Sequence, residues 1–172
     1  VFLGQSWRPK SDDTFVTGSG LEENFSDFVS RVQVSPGPHL DINYRTRFAS
    51  DNFSLRRNEV RFRAGVPAFN ASANYVFVES QENSEFPGRE EISYSGSSQL
   101  SRFWRVGFTG VTDLVTGKAR RVGASLIYEN ECVILTTRAS RTFFEDRDLE
   151  PTDQVTLNVV FKTLGEIRTD IF

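Results

Sequence analysis

The feature that most constrains this chain is a strict alternation of apolar and charged side chains over residues 40–65, LDINYRTRFASDNFSLRRNEVRFRAG. Successive side chains of a β-strand point to opposite faces, so this period of two predicts two strands joined by a turn. One face is apolar and includes Ile42, Tyr44, Val60 and Phe62. The other is charged and carries Asp41, Arg45, Arg47, Arg57, Glu59, Arg61 and Arg63. The pattern determines which residues share a face, and it leaves open whether lipid or a protein core covers the apolar one.

Similar alternation recurs along the rest of the chain and predicts about ten strands, with no convincing helical period between them. The predicted strands are residues 1–8, 27–35, 39–49, 54–66, 69–79, 89–100, 103–112, 119–129, 131–143 and 153–164. Many approach the roughly 9–11 residues with which a tilted strand crosses a bilayer. Tight turns also alternate with generally longer polar connections, as they do in outer-membrane barrels. These features favour an all-β, antiparallel up-and-down transmembrane barrel segment.

Overall composition excludes two other classes. The chain has 20 basic and 23 acidic residues and a formal net charge of −3, so it lacks the basic excess typical of nucleic-acid binding. No apolar run approaches the roughly 20 residues of a membrane-spanning helix. Because the chain begins within a predicted strand and contains no Met, we interpret it as part of a longer protein.

Few residues are candidates for covalent chemistry or metal binding. The single histidine, His39, follows Pro36-Gly37-Pro38 and is predicted to be a turn residue, so no catalytic residue and no enzymatic activity are expected. The acidic loop around Asp146, Asp148 and Glu150 lacks the central glycine of a calcium-binding EF-hand, and no metal or cofactor is predicted. The single cysteine, Cys132, is either a buried free thiol or half of a bridge to a partner.

The cost of placing arginine against lipid determines the register if the chain is a barrel. An arginine on the lipid face near the midplane costs about 2–4 kcal/mol. Arg57, Arg61 and Arg63 together would then cost roughly 6–12 kcal/mol, which rivals the whole stability of a domain, about 5–15 kcal/mol. In a barrel the charged set must therefore face the lumen. A soluble β-sandwich would show the same alternation with these charges in bulk water, so this reasoning alone does not choose between them.

Residues 128–166, YENECVILTTRASRTFFEDRDLEPTDQVTLNVVFKTLGE, resemble the carboxy-terminal signature of the LptD family of outer-membrane lipopolysaccharide-assembly proteins. The resembling features are the Tyr-Glu-x-Glu-Cys stretch, Arg-Thr-Phe-Phe, the loop Glu-Asp-Arg-Asp-Leu-Glu-Pro, and a final strand ending Phe-Lys-Thr-Leu-Gly. The runs SLRRNEV at 54–60 and REEI at 89–92 are also similar to the family.

The resemblance implies a large outer-membrane barrel, preceded by a periplasmic jelly-roll domain, that inserts lipopolysaccharide into the outer leaflet. Residues 1–172 would form a carboxy-terminal portion of that barrel. The implied partners are lipopolysaccharide, an LptE-like lipoprotein that plugs the lumen, a periplasmic LptA-like bridge that reaches the jelly roll, and outer-membrane lipid.

The resemblance also implies roles for individual residues. Lipopolysaccharide would leave through a lateral gate between the first and last strands of the barrel. On the last strand, the lipid face of this gate would carry Val155, Leu157, Val159 and Phe161. The family ties its barrel to the periplasmic domain through disulfides, so Cys132 would form a disulfide with a cysteine outside this chain. The alternative hypothesis is a porin-like or soluble β-sandwich binding module.

Overall fold

The computed structural model describes residues 1–10, 14–15, 19–21, 23–80, 88–143 and 151–162, together with the backbone of 165–171. All regular secondary structure in these residues is β-strand. The strands are β1 (Phe2–Gly4), β2 (Phe28–Val34), β3 (Leu40–Phe48), β4 (Leu55–Val66), β5 (Phe69–Val78), β6 (Arg89–Gln99), β7 (Trp104–Asp113), β8 (Lys118–Glu129), β9 (Val133–Thr142), β10 (Thr152–Phe161) and β11 (Gly165–Ile171). Within those ranges, no helix has the length and apolar character needed to cross a membrane.

The strands follow one another in chain order in a single sheet, from β1 to β11. The pairs β1–β2, β2–β3, β7–β8, β8–β9, β9–β10 and β10–β11 are each antiparallel. This up-and-down order confirms the predicted fold class, and the described strands do not divide into the two sheets of a β-sandwich. The bounds of β2 to β9 lie within two residues of those predicted.

The two ends of the chain differ from the prediction. The strand expected over 1–8 is reduced to β1, followed by one isolated bridge between Trp7 and Phe25. The strand expected over 153–164 ends at Phe161, and β11, which the alternation analysis missed, pairs with it. The expectation that β10 is the last strand is therefore wrong. The sequence of β11, GEIRTDI, does alternate, but over a length too short to stand out from a loop.

The chain divides into two compact units. Unit 1 comprises Val1–Arg63 and Ala73–Ile92, and unit 2 comprises Ala64–Ser72 and Ser93–Phe172.

In unit 1, the turn between β3 and β4 is closed by a hydrogen bond from Ala49 N to Ser54 O, 2.9 Å long. Phe53 in this turn has a φ of 55°, a left-handed conformation that is unusual for a bulky residue. Its ring stacks on that of Phe28 with centroids 4.9 Å apart, which holds this conformation in place.

In unit 2, aromatic side chains lie over glycines of the neighbouring strand. A Cβ atom added at Gly96 of β6 would lie 2.5 Å from the ring of Phe108 on β7. The reciprocal position, Gly110 of β7, is covered in the same way by Tyr94 of β6. Glycine is therefore required at both positions by close approach, and each ring shields backbone that a glycine would otherwise leave exposed.

The described residues bury almost no apolar core. Ala49 is the one buried hydrophobic residue among them, and no large side chain is fully buried. In unit 2, a set of apolar side chains is more than one third exposed: Trp104, Phe108, Val122, Leu126 and Val155. A water-soluble domain more often buries large apolar side chains of this kind.

Candidate functional site

The charged face of unit 1 gathers arginines around a single glutamate. Glu59 of β4 accepts a hydrogen bond from Arg57 on the same strand, with Nε 2.7 Å from Oε1. Its other carboxylate oxygen lies 4.0 Å from Nη1 of Arg45 on β3. The Glu59 side chain is 17% exposed, whereas Arg45 and Arg57 are 43% and 50% exposed. The more buried carboxylate therefore orients two more accessible guanidinium groups.

A second ion pair extends this group toward β2. Arg47 Nε lies 3.4 Å from Asp27 Oδ2, and Arg47 Nη1 donates to the carbonyl oxygen of Ser19 over 2.8 Å. On β2, Arg31 occupies the position directly opposite Arg45. We call Arg31, Arg45, Arg47 and Arg57 the arginine cluster.

The arginine cluster lines an open concavity of about 390 Å³. Its walls are formed by Phe2, Val29, Ser30, Arg31, Arg45, Thr46, Arg47, Arg57 and Glu59. The apolar contribution comes from Phe2 and Val29, which lie on the charged side because Phe2 is opposite Arg31 and Val29 is opposite Arg47. The arrangement presents several guanidinium groups to one shared space beside an apolar wall.

Asp41 extends the same face. Its Oδ2 accepts hydrogen bonds from Ser35 Oγ at 2.8 Å and from Gln33 Nε2 at 3.1 Å. The guanidinium groups of Arg61 and Arg63 attract this carboxylate electrostatically. The alternation along β3 and β4 places all seven residues predicted for the charged face on one side of these strands. The expected pairing of arginine with Glu59 is present. That this side lines a lumen stays a prediction.

The polar face of unit 2 has a different character. The strand registers place Gly107, Ser125, Arg138 and Thr156 in one row across β7 to β10. The next row contains Thr109, Gly123, Ser140 and Gln154. Most residues of these rows are small or carry a hydroxyl group, and they line a concavity of about 540 Å³ whose charged lining residues are Arg121 and Arg138.

The opposite face of unit 2 is apolar and includes the predicted gate residues. Val155, Leu157, Val159 and Phe161 of β10 pair with Ala139, Thr137, Leu135 and Val133 of β9. The same register continues to Trp104 and Tyr128, whose rings lie 4.9 Å apart near one end of the strands. Because β11 pairs with the other side of β10, the gate residues lie on a strand with two neighbours. Their role in a gate stays a prediction.

Cys132 lies in a well-organised turn between β8 and β9. Asn130 Oδ1 accepts hydrogen bonds from the backbone N–H groups of Cys132 and Val133, at 2.9 and 2.8 Å. Lys162, just after β10, donates its backbone N–H to the carbonyl oxygen of Cys132 and its Nζ to Glu129 Oε1. Cys132 is exposed. The alternative of a buried thiol is therefore wrong, and the thiol is held in an accessible position.

Several functional residues escaped sequence reasoning. The alternation of Val29, Arg31 and Gln33 in β2 was a usable signal for Arg31. Asp27 and Lys162 gave no such signal, because their partners are distant in the chain.

His39 lies exposed in the turn between β2 and β3, as predicted. In the part of the chain that is described, no group of three or more His, Cys, Asp and Glu side chains is arranged to hold a metal. The acidic loop at 144–150 lies outside the described residues.

Comparisons with known proteins agree with the resemblance. The profile of one family, "LptD: LPS transport system D", matches residues 1–104, well over half of the 172-residue chain. The match includes the runs at 54–60 and 89–92 and the whole arginine cluster, and it ends before the segment 128–166. Comparison with curated proteins found no significant match. The chain therefore belongs to the LptD family, component D of the lipopolysaccharide transport system.

Proposed function

We propose that this chain is a carboxy-terminal part of an outer-membrane barrel that carries lipopolysaccharide to the outer leaflet. The observation that carries the proposal is the separation of a polar and an apolar face along regular antiparallel strands, with almost no buried apolar core among the described residues. Family membership supplies the transported molecule. The chain performs no covalent chemistry in this proposal, and its contribution is a polar wall and a separable pair of strands.

Lipid is the proposed covering of the apolar face. Removing one large apolar side chain from water contributes about 1.5–3 kcal/mol, so the exposed residues of unit 2 would gain considerably from a bilayer. Backbone groups within a bilayer must pair internally, and the strands between β1 and β11 each have neighbours on both sides. The ring pairs Trp104–Tyr128 and Phe103–Tyr128 near one strand end resemble the aromatic girdle of a barrel.

The polar face is the proposed lumen wall. Asp41, Arg45, Arg47, Arg57, Glu59, Arg61 and Arg63 would face this lumen. Ion pairs such as Arg45–Glu59 and Arg47–Asp27 reduce the cost of placing so many charges on one wall. An LptE-like plug lipoprotein and an LptA-like bridge, through a jelly roll outside this chain, are the partners that the family resemblance implies.

The proposed gate involves β10 and its ladder with β11. An opening in a barrel must be a weakened strand pair, because pairing is what closes a barrel in lipid. β10 pairs with β9 on one side and with β11 on the other. The separable ladder in this proposal is the β10–β11 pair, which takes the place of the predicted pairing between β10 and the first strand of the barrel. Separating it would expose the apolar row Val155, Leu157, Val159 and Phe161 beside the polar row of the same strand.

A disulfide across this ladder tests the gate. Thr156 and Asp170 occupy opposite positions on β10 and β11, so T156C/D170C in the full-length protein should lock the pair. The matched control is S140C/Q154C, which locks the β9–β10 pair. We expect the first variant, and not the second, to lose surface lipopolysaccharide until reductant is added. Single-cysteine variants control for mispairing with Cys132. Normal export in the locked T156C/D170C protein would refute the gate assignment.

Cys132 is the proposed attachment to a periplasmic domain outside this chain. Its exposure and its rigid turn support a disulfide, because a positioned thiol loses little freedom on bridging. Mass spectrometry of unreduced full-length protein should recover a peptide containing Cys132 joined to a second cysteine-containing peptide. A Cys132 thiol that is fully alkylated in the mature protein without reduction would contradict the bridge, while leaving the gate experiment independent.

A further inference from the structure

We propose that the arginine cluster of unit 1 is a binding site for a phosphate group, presented by the phosphorylated saccharide of a glycolipid. The inference rests on the proposed function for the identity of the glycolipid. The site itself is argued from the geometry of the charged face.

The arginine cluster concentrates positive charge at one point of the sheet. Among the described residues, Glu59 pairs with Arg45 and Arg57 and Asp27 pairs with Arg47, so the four guanidinium groups exceed the two carboxylates by two charges. Arg31 and Arg45 are also directly opposite each other on β2 and β3. Like charges at directly opposite strand positions are destabilising. A phosphate monoester carries about −1.5 to −2 charges at pH 7 and would balance this excess.

The side chain of Arg45 contains a hydrogen-bond donor that the described residues do not use. The Nε atom of Arg45 is buried and has no hydrogen-bond partner among the residues that the structure describes. Buried donors of this kind are uncommon, because leaving one unsatisfied is costly. The planar guanidinium fork of arginine is suited to bidentate contact with phosphate oxygens. A small shift of the Arg45 side chain toward the concavity would let a phosphate oxygen serve as the acceptor for this buried donor.

The concavity beside the arginine cluster is large enough for a sugar and open to its polar side. Its volume of about 390 Å³ admits a phosphorylated sugar ring, and it is open to the polar side of the sheet. Phe2 and Val29 form an apolar wall of this concavity, beside the guanidinium groups. Glu59 and Asp27 hold the guanidinium groups in place rather than neutralising all of them. The concavity of unit 2 has two arginines and lacks this crowding.

The test compares phosphate preference in full-length protein and in charge variants. Binding is measured in detergent for a bisphosphorylated glycolipid, for the same glycolipid after dephosphorylation, and for inorganic phosphate alone. The test variant is R31Q/R45Q, and R31K/R45K restores charge without the fork. The matched control is R102Q/R141Q, which removes two arginines of unit 2 that lie outside both concavities. Gel mobility before and after heating verifies that each variant is folded.

We expect wild-type and control proteins to bind the phosphorylated glycolipid about tenfold or more tightly than the dephosphorylated one, an effect of about 1.4 kcal/mol or more. R31Q/R45Q should lose this preference, and R31K/R45K should regain part of it. Competition by inorganic phosphate at similar concentration would support a site for free phosphate, and much weaker competition would support the glycolipid as the source. An unchanged preference in folded R31Q/R45Q overturns the site. Failure of wild-type protein to bind either glycolipid would instead count against the proposed function.

Discussion

The polar faces of the two units differ in the kind of side chain that they carry. In unit 1 the face is crowded with charge, and Glu59 and Asp27 stabilise the arginines through ion pairs. In unit 2 the corresponding rows are glycine, serine and threonine, with charge limited to Arg121 and Arg138 in the concavity. Unit 2 instead obtains specific packing on its apolar side, where rings lie over Gly96 and Gly110. Unit 1 therefore concentrates charge on its polar face, whereas unit 2 leaves a wider space with little charge.

The largest loss of stability is expected when an arginine is placed on the apolar face of unit 2. L157R places arginine on the apolar face of β10, where we expect a loss of about 2–4 kcal/mol if this face contacts lipid near the midplane. The control Q154R adds the same side chain to the polar face of the same strand and should be nearly neutral. Urea unfolding in lipid vesicles measures both. Equal destabilisation by the two variants would remove the distinction between the faces.

The next largest loss of stability is expected where the aromatic rings of unit 2 lie over glycines. G96V adds a side chain where the Phe108 ring lies, and we expect it to cost about 1–3 kcal/mol through overpacking. The double variant G96V/F108A should be less destabilised than the sum of the two single variants, because removing the ring makes room. Unfolding in denaturant measures this coupling. Strict additivity would show that the ring and the glycine are not in contact.

A smaller effect is expected at the turn that carries Cys132. N130A removes the acceptor for two backbone N–H groups and should cost about 1 kcal/mol, since water partly replaces the lost hydrogen bonds. Its neighbour Glu131 provides the control variant E131A. The turn between β2 and β3 of unit 1 instead uses Gly37, with a φ of 85°. Equal unfolding midpoints for N130A and E131A would contradict the structural role of Asn130.

The smallest effect tests the electrostatic character of unit 1. E59Q removes the carboxylate that orients Arg45 and Arg57, and because both arginines are well exposed we expect a loss of about 1 kcal/mol or less at low salt. The loss should change with ionic strength, since salt screens these charges. E131Q is the control at an exposed turn position. Unfolding free energies that respond identically to salt in wild type and E59Q would argue against charge as the organising feature of this face.

Much of the fold was predictable because strand alternation is a local property. The bounds of β2 to β9 and the grouping of Arg45, Arg47, Arg57 and Glu59 on one face both follow from the period of two. Two features, β11 and one ion pair, were not predictable, each for a physical reason. β11 is short, and its existence depends on pairing with β10. The ion pair between Arg47 and Asp27 joins β3 to the residue just before β2, so the alternation within one strand does not predict it.

The sequence by itself determined the all-β class, the two faces and the register that any membrane would impose on the arginines, because these depend only on alternation and on the cost of burying charge. Only the tertiary structure decided which residues meet across strands. It placed Arg31 opposite Arg45, held Cys132 exposed in its turn, and seated the Phe108 ring over Gly96. Such contacts depend on strand register and on residues far apart in the chain, and a single strand's pattern carries no information about its partner.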